Sequence, residues 1–127
     1  MHALAAGWPQ AAFSAKAVRD VLAALYGSGD AIESSAISFK TPIQAENGAL
    51  VPIEVSTTLP QVESIAIIVD KNPQPLVANT NLSGAEPFIG LNIRMNETSA
   101  VRAVVRSEGK LYTNATLIRV TVSGYGG

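Results

Sequence analysis

Residues able to do chemistry are scarce in this chain of 127 residues, and the scarcity narrows what it can be. It contains no cysteine, which removes disulfides, thiolate metal sites and a cysteine nucleophile together. The one histidine, His2, stands in the opening residues, where a solvated side chain is expected, so a Ser-His-Asp triad has no base. The ten carboxylates are scattered without metal-ligand spacing. Glu46 and Glu54 flank an expected hairpin and could approach one another, but two exposed carboxylates on a hairpin ordinarily form a soluble face. No glycine-rich loop joins a strand to a helix, so no nucleotide site is expected. Three N-x-S/T sequons, at Asn81, Asn96 and Asn114, are chance-level matches. The unusual segment is "VTVSGYGG", a strand-like run passing into glycines around one aromatic residue. The phenol of Tyr125, with a pKa near ~10, is mostly protonated at neutral pH and is a poor nucleophile there. An enzyme acting alone is not expected, nor is a metal or a cofactor.

The elements that must position this tail can be read from hydrophobic period. "PQAAFSAKAVRDVLAALYGSGD" predicts an amphipathic helix over about 10–26. At 100° per residue Phe13, Ala17, Val18, Val21, Leu22 and Leu25 fall on one half, and Lys16, Arg19 and Asp20 on the other. Pro9 suits the first turn and Gly27 a C-cap. Beyond residue 30 the period becomes two. Ile37 and Phe39 alternate with Ser38 and Lys40, and Val51, Ile53 and Val55 alternate with Pro52, Glu54 and Ser56. Asn47-Gly48 predicts a type I′ hairpin turn before that strand, while Pro52 argues for an edge or a bulge. "VESIAIIVD" is apolar on both faces and reads as a central strand between two layers. "KNPQP" breaks the chain. Ile89, Leu91, Ile93 and Met95 share a face, as do Val101, Ala103 and Val105, and then Ile118, Val120 and Val122; "EGK" makes a turn between the last two strands.

About seven short strands at this spacing imply a mainly β chain, an immunoglobulin-like antiparallel β-sandwich with one N-terminal amphipathic helix. A single domain over 1–127 is expected, with the sandwich at about 34–122 and a flexible C-terminal arm at 123–127. A net charge of −1 predicts no electrostatic grip on nucleic acid or on anionic membranes. No run of 18 apolar residues suits a membrane span, and no basic segment leads into an apolar stretch as in a signal peptide.

Four stretches then become specific in order and spacing: "AENGALVPIEV", "VDKNPQP", "IRMNETSAVRAVV…GKLY" and "VTVSGYGG". Together they resemble the SoxY family, the sulfur-carrier subunits of the periplasmic thiosulfate-oxidising system, over nearly the whole chain. The resemblance implies the same sandwich, and an arm of the Gly-Gly-Cys-Gly-Gly type whose cysteine carries sulfur between enzymes. Glycines without Cβ suit such a tether, and a thiolate suits S–S chemistry. The matching residues here are Ser123, Gly124, Tyr125, Gly126 and Gly127, with Tyr125 at the carrier-attachment position and Ser123 replacing a glycine.

A phenol forms neither persulfide nor thiosulfonate, so the resemblance implies a carrier form unable to load sulfur. Three origins for Tyr125 stand open: an engineered block, a natural cysteine-less paralogue with a binding or regulatory role, and a misassigned terminal residue. The implied partners are a SoxZ-like subunit and the Sox enzymes: the conjugating cytochrome, the sulfate-releasing hydrolase and the sulfane dehydrogenase. Homo-oligomers are expected when SoxZ is absent, and the implied location is the periplasm. The competing reading is a non-catalytic immunoglobulin-like interaction module that only assembles with partner subunits. Strands apolar on both faces add an argument for a subunit interface.

Overall fold

A computed structural model describes residues 16–27, 30–82 and 87–121 of the chain. His2, Pro9, residues 10–15 of the expected helix, Val122 and the arm at 123–127 lie outside the described residues. Helix α1 spans Val18–Tyr26. Lys16 and Ala17, expected inside it, precede it instead; Ala17 is extended (φ −137°, ψ 148°) and no side chain caps the first turn. Val18, the first helical residue, packs against the sheet. Gly27 ends it as expected, in the left-handed region (φ 77°) with its N–H donating to Ala23 O at 2.8 Å.

Nine strands follow among the described residues: β1 Ile32–Glu33, β2 Ile37–Lys40, β3 Gln44–Ala45, β4 Val51–Thr57, β5 Val62–Val69, β6 Leu76–Asn81, β7 Phe88–Ile93, β8 Ser99–Ser107 and β9 Lys110–Val120. One sheet has the order β1-β9-β8-β5-β6, with β3 also paired to β9; the other has the order β2-β4-β7. The two face each other across a core that includes Ile37, Val51, Ile53, Val55, Ile65, Ile67, Val101, Val105 and Ile118. This is the expected immunoglobulin-like β-sandwich, although β1 and β3 run parallel to β9 and not antiparallel.

Strand β5 has the doubly apolar pattern foreseen for it, and it lies between β8 and β6. Ile65, Ile67 and Val69 point into the sandwich, while Ala66 and Ile68 meet Val21 and Leu22 of α1 on the outer face. Burying each of these isoleucines contributes roughly 1.5–3 kcal/mol. The second apolar face is therefore covered by the chain's own helix, so it gives no argument for a subunit interface.

Two turn expectations need correction. Asn47-Gly48 closes no hairpin, because β3 pairs with β9 and β4 lies in the opposite sheet. Neither residue takes a positive φ. Asn47 Oδ1 instead accepts the Ala49 N–H at 2.9 Å, and Asn47 O accepts the Leu50 N–H at 3.2 Å. That is an Asx-type turn, and it carries the chain from one sheet to the other. The type I′ pair is Glu108-Gly109 in the β8–β9 hairpin, with φ 51° and 79°. Pro52 lies in the middle strand of its sheet, not an edge strand, but β2 stops opposite Glu54, so at Pro52 only β7 is alongside. Glu54 pairs in register with Lys40 and Gly90, whereas Glu46 follows β3, so no hairpin brings the two carboxylates together.

Candidate functional site: the root of the glycine-rich arm

The arm must leave the fold at the end of β9, where Val120 and Thr121 are held from two sides. On one side β3 and the residue before it accept bonds: the Arg119 N–H reaches Ile43 O and the Thr121 N–H reaches Ala45 O, both at 3.0 Å. On the other side Thr98 Oγ1 accepts the Val120 N–H at 2.9 Å and donates back to Val120 O at 3.4 Å. A strand end bonded on both sides fixes where residue 122 leaves the sandwich.

The loops around this point are tied to one another. Asn72 Nδ2 donates to Arg94 O at 2.8 Å, and Asn72 Oδ1 accepts the Asn96 N–H at 3.1 Å. Ser99 Oγ accepts the Lys71 N–H at 3.0 Å, and the Met95 N–H donates to Gly48 O at 2.7 Å. Three stretches that are distant in sequence, 45–50, 69–75 and 93–99, thus meet at one end of the sandwich, beside the start of the fourth. They are the stretches that carry the resemblance, apart from "GKLY", which belongs to the opposite end. Asn72 and Arg94 also line an open groove of about 490 Å³ with Gln74, Leu76, Val77 and Asn92.

On the outer face of the larger sheet Arg102 donates twice to Asp70, at 2.9 and 3.3 Å. That forked contact holds the guanidinium pKa above its ordinary value, and desolvation partly opposes it. Arg106 pairs with Glu63 at 3.1 Å. Beneath α1, burial pushes the Tyr26 phenol up from its usual value, while nearby Ser64 and Arg106 pull the other way. Neither Tyr26 OH nor Ser64 Oγ closes a hydrogen bond, and Asn79 Oδ1 is likewise without a partner. Among the described residues no group of three or more His, Cys, Asp or Glu side chains is placed to hold a metal. No described helix is long and apolar enough to cross a membrane.

Ser123, Gly124, Tyr125, Gly126 and Gly127 lie outside the described residues, so only their point of attachment is in view. Reading the sequence did not single out Asn72, Thr98 or Ser99, which fix that point. Their one signal was membership of "VDKNPQP" and "IRMNETSAV". Asn114, a sequon residue, spends its amide on Ile37 O at 2.8 Å, a structural bond from β9 to the start of β2.

The fold is that of an immunoglobulin-like β-sandwich whose last strand ends bonded to β3 and to Thr98. The family model of the sulfur oxidation protein SoxY matches residues 22–124, and the chain belongs to that family. The solved structure of the sulfur carrier protein SoxY from Chlorobium limicola f. thiosulfatophilum is similar, with 38% identity and a TM-score of 0.77. The match covers 89% of this chain and 99% of that one. An engineered protein aligns at 12% identity and a TM-score of 0.45, over 67% of this chain and 20% of its own. No curated protein sequence matches the chain. The chain is thus a member of a sulfur-carrier family, and it contains no cysteine.

Proposed function

We propose that the chain is a carrier scaffold of periplasmic thiosulfate oxidation, presenting residues 123–127 to the Sox enzymes but unable to accept sulfur. The observation that carries this reading is family membership in a chain without any thiol; that Tyr125 takes the attachment position is part of the proposal and rests on the resemblance of "VTVSGYGG" to the family's arm. In the thiol form of the arm, a thiolate attacks sulfur and an S–S bond forms. Tyr125 is mostly protonated at neutral pH, and its oxygen forms no comparable stable bond to sulfane sulfur. What this chain retains is docking. Tyr125 lies four residues beyond Thr121, a reach of about 14 Å at most, so the stitched root and its loops sit within contact range of any pocket the arm enters. A SoxZ-like subunit is the expected companion. Thiosulfate and the conjugating cytochrome test the reading directly: the intact mass of the chain should not change, and a sulfur adduct would refute it.

The absence of cysteine also favours a second reading, a paralogue that works only as an assembly module. The two separate on competition. A carrier scaffold should inhibit sulfur loading of a thiol-bearing SoxY by occupying the same enzyme pockets, whereas an assembly module should leave loading unaffected and bind the SoxZ-like subunit alone.

A further inference from the structure

Asn47-Gly48 closes no hairpin, and the turn that it does form leaves the Asn47 side chain at the surface beside a glycine. Asn47 is exposed, and its Oδ1 accepts the Ala49 N–H at 2.9 Å. We propose that Asn47 is a site of spontaneous covalent modification, in which the backbone nitrogen of Gly48 attacks Asn47 Cγ with hydroxide as base and water as co-reactant.

In the first step the Gly48 amide proton passes to hydroxide and the N–Cγ bond forms. The Cγ–Nδ2 bond then breaks, and the leaving nitrogen takes a proton from water and departs as ammonia. The product is a five-membered succinimide. Water opens that ring at either carbonyl, giving aspartate at position 47 or an isoaspartate whose backbone runs through Cβ. No electrons change hands, and the sum is one water in and one ammonia out.

Two features of the fold favour the step. The Ala49 N–H already points at the oxygen that becomes negative when Cγ is attacked, which is the arrangement of an oxyanion donor. Gly48 has no Cβ to obstruct its nitrogen and tolerates the backbone rotation that ring closure needs. The other asparagines, at 72, 79, 81, 92, 96 and 114, each precede a residue with a Cβ, and Asn72 precedes a proline with no N–H to lose.

The position matters because Gly48 O holds Met95 and the same loop adjoins β3, which grips Thr121. Reaction places a new carboxylate beside Glu46 and takes the formal net charge from −1 to −2, by loss of a neutral amide. The isoaspartate form lengthens the backbone between the residue 47 Cα and its carbonyl, which opens the turn closed by the Leu50 N–H.

The experiment incubates the full chain at mildly alkaline pH, folded and in urea. Peptides are mapped by mass spectrometry and labelled with an isoaspartyl methyltransferase. The expected result is conversion of amide to acid at Asn47 alone, rising with hydroxide concentration, at a folded-state rate equal to or above that in urea. Gly48→Ala should slow it in both states. An unmodified Asn47, or a folded rate an order of magnitude below the urea rate, would overturn the proposal.

Discussion

A thiol at position 125 would place a sulfur nucleophile between glycines, and a phenol there does not, while adding a much larger side chain. At this scale the chemistry is a matter of one atom. A second residue-level consequence concerns Tyr26. Burial raises its pKa, so the folded state favours the neutral phenol. That contribution is complete below the unfolded value near ~10 and is lost as pH rises through the higher folded value. Alkaline unfolding should therefore be steeper for the native chain than for Tyr26→Phe, and urea titrations across that range measure the difference. The Tyr26 hydroxyl has Ser64 as its one neighbouring side-chain partner and closes no well-formed bond to it, so Tyr26→Phe should change stability at neutral pH by less than about 1 kcal/mol.

Elements were legible in the sequence where a period ran long enough to decide the matter. The alternation of Val51, Ile53 and Val55 and the doubly apolar run of β5 correspond to strands with those burial patterns. Turns were less legible, because Asn-Gly suits both a type I′ hairpin and an Asx turn, and only the sheet on each side selects between them. Strands β1 and β3, two residues each, carry no period at all, and their parallel pairing with β9 depends on contacts distant in sequence. The true type I′ turn makes a clean test. A Cβ added at Gly109 would meet open space, but the φ there is 79°, so Gly109→Ala should lose about 1 kcal/mol from backbone strain alone. Glu108, a non-glycine residue at φ 51°, should respond in the opposite sense: Glu108→Asn should gain a few tenths of a kcal/mol to about 1 kcal/mol. Equilibrium unfolding in urea reads both. At the arm's root, Asn72→Ala removes two bonds to the 94–96 segment, and amide exchange at Asn96 should quicken while the core amides of β5 stay protected.

On the scale of the whole molecule, the sandwich works as a platform whose last strand ends where three loops are bonded together. Of the candidate site, the sequence showed the arm and the stretches that carry the family likeness. It did not show that those stretches converge, since convergence is set by long-range pairing and not by any local pattern. In the function proposed above, this platform keeps its place in the carrier system and lacks only a thiol. The most direct test of that function is intact mass after incubation with thiosulfate and the conjugating cytochrome, run side by side on the native chain and on Tyr125→Cys. The native chain should show no mass change, and Tyr125→Cys should gain a sulfur adduct at the introduced position. An adduct on the native chain, or none on a folded Tyr125→Cys chain under conditions that load a thiol-bearing SoxY, would contradict that function.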